Sequence, residues 1–247
     1  MEAQLAATRA LCLVSGGTGA IGSHVVKRLA SSGRHVVVLS RSDASLKSIA
    51  DVPNVSGLVV DWTQASSVDA AVKSAAAIAK EKALPVSGLV CCAGATANQL
   101  FLRTPDAALE LMMEANFMTT MRLVRATLRY SDILKCGSGS VVGVSSVVAA
   151  HGNVGQVGYG ASKAAVEGAF RSLSREYGPK GVRFNVVAPG LTESDMAETI
   201  SAEARAAWSS KADLRRLAKA DEIAAATVNV LDTPYMTGQT VQICGGL

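Results

Sequence analysis

Apolar positions along the chain alternate between two spacings. Short, mostly β-branched runs fall at Leu11–Ser15, His35–Leu39, Gly57–Val60, Gly88–Cys91, Ser140–Val144, Val182–Val187 and Thr240–Ile243. Most are continuous rather than polar/apolar alternations, which predicts strands covered on both faces, as in a parallel sheet. Between them lie longer Ala-rich stretches with helical spacing. Val68, Ala71, Val72, Ala75, Ile78 and Ala79 form one stripe, and Ile223, Ala226, Thr227 and Val230 another. Strand–helix alternation of this kind builds right-handed βαβ units. The predicted fold class is α/β: a doubly wound, seven-stranded parallel sheet with helices on both faces, in a single domain over residues 1–247. No linker, low-complexity segment or internal repeat interrupts it.

Composition agrees with that picture and narrows the function. The 247 residues are 49% hydrophobic, 18% charged and only 4% aromatic, so the core is aliphatic and the chain is not of the disordered class. Lys and Arg number 24 against 20 Asp and Glu, a net charge of +4 with no basic block. Nucleic acid is therefore not implied, while an anionic cofactor is compatible. No run of eighteen apolar residues exists, so no membrane span is expected. Residues 1–9 are too few and too polar for a signal peptide. The five cysteines, at 12, 91, 92, 136 and 244, show no CxxC or Cys/His spacing, so no metal site is expected. A reducing compartment follows: the cytoplasm, or an organelle if a transit peptide has been removed.

Two regions carry candidate chemistry. Ser15-Gly16-Gly17-Thr18-Gly19-Ala20-Ile21-Gly22 directly follows the first strand and opens a helix. Glycines there let the backbone approach a pyrophosphate, and the helix N-terminus offers N–H groups and a positive dipole end. The second strand ends in Ser40-Arg41, where an NAD site would carry an acidic residue for the ribose hydroxyls. A guanidinium instead suits the 2′-phosphate of NADPH. Asp61 and Trp62 follow the third strand as candidate cofactor contacts, with Asp61 placed to accept from the adenine amino group; it is too far ahead of the next helix to cap it. Cys92-Ala93-Gly94 ends the fourth strand with small residues past which a nucleotide can lie.

Ser146 ends the fifth strand, and Tyr159 and Lys163 follow four residues apart on the next predicted helix, on one face. Ligands of open α/β sheets bind beyond the carboxyl ends of the strands, so the three side chains converge on that crevice. A tyrosine alone is a poor acid at neutral pH; a nearby ammonium is expected to lower its pKa.

With Asn116 and Pro189-Gly190, these motifs resemble the short-chain dehydrogenase/reductase family over nearly the whole chain. The stretches from Ser146 to Gln156, Asn185 to Met196 and Tyr235 to Gly246 are similar to those of family members that reduce 3-oxoacyl groups on acyl carrier protein. The resemblance implies a Rossmann fold and NADPH-dependent reduction of such thioesters in fatty acid synthesis. Reduction of another carbonyl, or a non-catalytic cofactor-binding partner subunit, are the alternatives. It implies that Tyr159 donates a proton to the substrate oxygen, Ser146 orients that oxygen, and Lys163 holds the nicotinamide ribose. Asn116 is implied to hold a water that relays protons. Gly16, Thr18, Gly19 and Ile21 would line the pyrophosphate, and Pro189, Gly190, Thr192 and Ser194 the nicotinamide. A homotetramer built through the helices Pro105–Tyr130 and Gly158–Tyr177 and the last strand is also implied.

The chain departs from the family pattern at Ser15 (usually Thr), at Ala20 (usually Gly), at Cys91-Cys92 (usually an Asn pair) and at Cys244 (usually polar). Gly19 stands where NADP-preferring relatives often carry Arg. Arg129, Lys135, Arg175 and Lys180, near the ends of the two long helices, are expected to cluster beside the active-site mouth and dock the acidic acyl carrier protein.

Overall fold

The continuous apolar runs become strands because each is covered on both faces. Side chains alternate across a strand, so Leu11, Leu13, Val37 and Leu39 enter one core layer while Cys12, Val14, Val36 and Val38 enter the other. The computed structural model describes residues 9–194 and 201–247. Its elements are β1 (Leu11–Ser15), α1 (Ala20–Ser31), β2 (His35–Ser40), β3 (Val55–Val59), α2 (Ala65–Glu81), β4 (Val86–Cys91) and the long helix α3 (106–130). They continue with β5 (Gly139–Val144), α4 (Val157–Tyr177), β6 (Val182–Pro189), α5 (Ala202–Lys211), α6 (Ala220–Asp232) and β7 (Thr240–Ile243).

The seven strands lie in the order β3-β2-β1-β4-β5-β6-β7, all parallel. The fold is a Rossmann-like doubly wound sheet. Its winding reverses between β1 and β4, where such sheets bind their ligands. Helices α2, α3 and α4 supply Val72, Leu123 and Phe170 to one layer; α1 and α6 supply Leu29 and Ile223 to the other. Phe170 meets Phe184 of β6 edge-on, with ring centroids 5.8 Å apart. The nearly buried Arg34 guanidinium pairs with Asp232 at 2.7 Å, tying the entry of β2 to the end of α6.

Three expectations are adjusted. β3 begins two residues early, because Asn54 turns the chain with a φ of 62° and Val55 can then pair with β2. As the edge strand it is not covered on both faces, and Val59 is exposed. Helix α3 is not uniform: Met113–Met118 is wound as a π-turn between α-helical Asp106–Met112 and Thr119–Tyr130. Such turns often mark functional positions, and this one carries Asn116.

The third adjustment concerns the basic cluster. The loops carrying Lys135 and Lys180 do meet, for a Cβ on Gly181 would lie 3.0 Å from the Gly137 carbonyl oxygen. They meet, however, where β5 and β6 begin, at the paired residues Gly139 and Val182. Ser146 lies beyond the other end of β5, roughly 20 Å away at about 3.3 Å per residue. Arg129, Lys135, Arg175 and Lys180 are thus at the wrong end of the sheet to flank this chain's own mouth. Arg129 and Lys180 instead stack on Tyr130 and Tyr177.

The β1–α1 turn is the tightest connection near the switch point. Gly16 has a φ of +66°, and a Cβ there would stand 2.7 Å from the Ala93 nitrogen. A Cβ on Gly22 would stand 2.1 Å from the Gly16 carbonyl oxygen, whereas one on Gly19 would approach that oxygen only to 3.4 Å. Gly22→Ala is therefore expected to lower stability by about 3 kcal/mol or more, the upper end of overpacking costs, and Gly19→Ala by well under 1 kcal/mol. Urea unfolding of the two variants checks this; equal midpoints would contradict the packing assigned to the turn.

Candidate active site

The crevice is assembled by the carboxyl ends of β1, β4, β5 and β6. Past the end of β5 the ladder to β6 continues, with Ser145 N donating to Val187 O at 2.8 Å and Val147 N to Pro189 O at 3.0 Å. Ser146 is thereby held between two residues bonded to β6, and its hydroxyl accepts from Val148 N at 3.2 Å. Helix α4 crosses in front and presents Tyr159 and Lys163 to it from one face. Ser146, Tyr159 and Lys163 line a single cleft of ≈ 880 Å³, counting its open mouth. The three predicted residues are brought together.

Lys163 is the buried member. Its ammonium donates to the Val144 carbonyl oxygen at 2.8 Å and lies 5.8 Å from the centre of the Tyr159 ring. Burial lowers its pKa from 10.5 to about 8, with the neighbouring Cys92 and Cys91 acting weakly the other way. Tyr159 is shifted upward by burial, partly offset by its hydrogen bond to the Ser146 hydroxyl. The expectation that Lys163 pulls the phenol toward neutral pH is thus corrected. The ammonium is aimed at the strand carbonyl, and desolvation of the phenolate outweighs the rest. Tyr159 keeps its proton at neutral pH and is a donor.

Asn116 is a clamp rather than an open water site in its side chain. Its Oδ1 accepts from Ala95 N at 2.8 Å, and its Nδ2 donates to Ala95 O and to Ser162 Oγ, both at 3.0 Å. Its own carbonyl accepts from Thr120 Oγ1 at 2.8 Å. These bonds fold the 94–95 loop over Lys163. A Cβ on Gly94 would stand 2.8 Å from Asn116 Oδ1 and 3.1 Å from Lys163 Nζ, so only glycine leaves both groups in place.

The nucleotide half has the form of a phosphate cradle. The N–H groups in the first turn of α1 have no intrahelical acceptors, Gly19 at the N-cap carries no side chain, and no acidic residue lies in that turn. Ala20, the residue that replaces a glycine of the pattern, is exposed and crowds nothing. Ile21, Cys92, Gly94, Pro189, Gly190, Thr192 and Ser194 all border the cleft. Thr18 is half-buried in the turn, and Ala93 lies against Gly16.

Ser40 is buried, whereas Arg41 is exposed at the end of β2 and makes no hydrogen bond or ion pair among the described residues. Asp61 is exposed. Its Oδ1 accepts from Thr63 Oγ1 at 2.7 Å and Thr63 N at 3.0 Å, which holds the carboxyl below the usual carboxylate range. Trp62 is a correction: its indole packs in the core beneath the sheet and its carbonyl accepts from Arg122, so its side chain is not placed to meet a nucleotide. In place of an Asn pair, Cys92 N donates to Ser15 O at 3.1 Å and Ala93 N to the Ser15 hydroxyl oxygen at 3.4 Å. Both thiols are pushed up by burial, Cys92 to about 12, and stay neutral.

Two of the cleft residues that sequence reasoning missed are large polar or aromatic groups. Gln156 is buried and joins the two loops of the mouth: Nε2 donates to Asn98 Oδ1 at 2.8 Å and Oε1 accepts from Asn153 Nδ2 at 2.8 Å. Its signal was weak, a polar residue at the start of an otherwise apolar helix pattern. Trp208 lines the opposite wall. Trp208 is carried on the helix Ala202–Lys211, and residues 195–200 lie outside those described. Among the described residues no group of His, Cys, Asp and Glu could hold a metal, and no helix is long and apolar enough to cross a membrane.

A family profile described as enoyl-(acyl carrier protein) reductase matches residues 17–247. Among curated proteins, the 3-oxoacyl-acyl-carrier-protein reductases FabG of Vibrio cholerae and Escherichia coli are similar, at 35% identity over 242 residues and 32% over 241. Carbonyl reductase family member 4 of Danio rerio is 34% identical over 240 residues. In each case the match covers 96% of this chain and 96–97% of the relative. An actinorhodin polyketide ketoreductase solved with NADPH superposes with a TM-score of 0.88 over 98% of both chains at 26% identity.

The packing around Gly94 makes a specific demand. Gly94→Ala should displace the Asn116 amide or the Lys163 ammonium by a few tenths of an ångström or more, and so lower kcat/KM at least tenfold, with little change in the thermal unfolding midpoint. Unaltered kcat/KM would show that the close approach at Gly94 is not needed.

Proposed function

We propose that this chain, which belongs to the short-chain dehydrogenase/reductase family and is an NAD(P)-dependent oxidoreductase, reduces 3-oxoacyl thioesters on acyl carrier protein with NADPH. The observation that carries the reading is the convergence of a protonated Tyr159, the Ser146 hydroxyl and the buried Lys163 at the end of β5. When bound, the dinucleotide supplies a hydride. The chain's own residues supply the rest. Ser146 and Tyr159 hydroxyls hydrogen-bond the substrate oxygen, fixing the carbonyl and favouring the charge that develops on it. Tyr159 then gives its proton to that oxygen as general acid. Lys163, charged below about pH 8, would favour the resulting phenolate and would hold the ribose. Asn116 keeps the 94–95 loop in register with Lys163.

Arg41 supports NADPH over NADH, since an unpaired guanidinium at the end of β2 matches a 2′-phosphate and the strand ends in Ser40 rather than a carboxylate. Asp61 would accept from the adenine amino group, and Ser40, Thr18, Ala93, Pro189, Thr192 and Ser194 complete the cofactor's walls. A homotetramer is part of the same reading. Ala161 is exposed on α4, and a Cβ on Gly168 would meet only the Arg171 guanidinium, at 3.9 Å, so a second helix can pack closely there. In such an assembly the basic loops at Lys135 and Lys180 would serve acyl carrier protein only at the mouth of a second copy. A second reading, reduction of a different ketone, is favoured by the comparable likeness to the Danio rerio carbonyl reductase. A non-catalytic subunit has no such support, because all four of Asn116, Ser146, Tyr159 and Lys163 are in place.

NADPH oxidation with acetoacetyl thioesters of coenzyme A and of acyl carrier protein, run beside a panel of simple ketones and quinones, tests the reading. Turnover of the thioesters is expected to exceed that of the panel and to be faster with NADPH than with NADH. In Tyr159→Phe it should fall by about 10²–10⁴-fold, with NADPH affinity little changed. A variant that turns over at the normal rate, or a wild-type chain that prefers NADH, would contradict the assigned roles.

A further inference from the structure

A second cavity, ≈ 580 Å³ counting its mouth, lies directly behind the catalytic cleft, and the two share only Gly190, Leu191 and Trp208 as lining. Gly190 has no side chain, and its N–H donates to Ile243 O at 2.9 Å. The Leu191 main chain is held by its carbonyl, which accepts from Ala218 N at 3.0 Å, so the wall can move only through the Leu191 and Trp208 side chains. The larger of the two is the Trp208 indole. It is half-buried on α5, and its ring N–H has no acceptor among the described residues.

Beyond it the lining is aliphatic: Ala212, Leu214, Leu217, Ala218, Ile243 and Leu247. At the rim the Arg216 guanidinium is neutralised by Glu222 through two hydrogen bonds of 2.6 and 2.7 Å. The side chains offered there are thus mainly apolar, and across the shared wall the space adjoins the cleft in which a substrate carbonyl would face Tyr159.

We infer that Trp208 is a specificity-determining gate and that the cavity behind it receives the distal alkyl chain of a long-chain acyl substrate. The occupant is argued from continuity. A chain whose carbonyl is held at Ser146 and Tyr159 meets this mainly aliphatic space only by passing the shared wall, where the indole is the largest group, whereas a polar tail would find few partners there. Short substrates fit the cleft with the indole in its present position. Longer ones displace it, at the cost of a rotamer change and not of a hydrogen bond. The inference rests on the acyl-thioester reading given above and adds a limit on chain length.

The test measures kcat/KM for 3-oxoacyl-CoA thioesters of four and twelve carbons and takes their ratio within one protein sample, so that loss of folded enzyme cancels. Trp208→Ala should raise the twelve-to-four ratio at least tenfold, and Leu217→Phe, which fills the cavity, should lower it about fivefold or more. Ratios within twofold of the wild type in both variants would overturn the inference. A binding measurement decides the matter even if no thioester is reduced, and so separates this claim from the reading beneath it. The chain holds two tryptophans, and Trp62 is buried in the core. Dodecanoyl-CoA carrying a terminal bromine should therefore quench the fluorescence that is lost in Trp208→Phe, and a brominated butanoyl-CoA should quench it far less. Equal quenching by the two, or none by either, would also overturn it.

Discussion

The site depends on a lysine held inside the protein by a strand carbonyl. Burying an ammonium is costly unless hydrogen-bond partners replace water, and Lys163 meets that condition at the carboxyl end of β5, through Val144. Several neighbouring features follow from accommodating this one group. Gly94 must lack a side chain, because a Cβ would intrude on both the ammonium and Asn116. Helix α3 must change pitch at Met113–Met118, and the Asn116 carried there reaches Ala95 and Ser162. Cys91 and Cys92 remain neutral thiols beside the charge, since burial disfavours their ionisation more than the ammonium favours it.

The same arrangement separates the acid from the cation. Tyr159 and Lys163 share a helical face, yet the phenol bonds Ser146 and the ammonium bonds the main chain, so each keeps a distinct task. A phenol that stays protonated at neutral pH is ready to give a proton to a carbonyl oxygen. The nearby cation becomes valuable after that transfer, when a phenolate has formed. The nucleotide half complements this with backbone rather than with charge: open N–H groups at α1, and Gly16 and Gly22 so close that the turn has one shape.

Much of this was legible in the sequence, for physical reasons that differ by element. The strands were visible because a parallel sheet buries both faces, so runs such as Val36–Leu39 are apolar without interruption. The YxxxK spacing gave the shared helical face directly. The edge strand β3 was displaced in the reading because one side of it meets solvent and its apolar signal is broken. The π-turn in α3 was invisible, since Met113–Met118 has ordinary helical composition. Trp62 misled because a residue next to a predicted contact can turn into the core. The basic loops misled for a topological reason: residues at the ends of helices lie where strands begin, and a cleft at the ends of strands is a full sheet length away. Trp208 stood in a segment whose Ala-rich composition names no partner, and only the cavities on its two sides give it a role.

The claim that burial and the Val144 carbonyl govern Lys163 is open to direct titration. Nuclear magnetic resonance of lysine carrying carbon-13 at Cε, with the Lys163 signal assigned by its loss in Lys163→Met, gives the protonation midpoint in the cofactor-free chain. A midpoint near pH 8 is expected, so that the group is charged below that pH and neutral above it. Between about pH 8 and 10.5 the unfolded chain then binds the proton more tightly than the folded one, so folding gains stability as pH rises through that window. A Lys163 signal that titrates near 10.5, like an exposed lysine, would contradict the account.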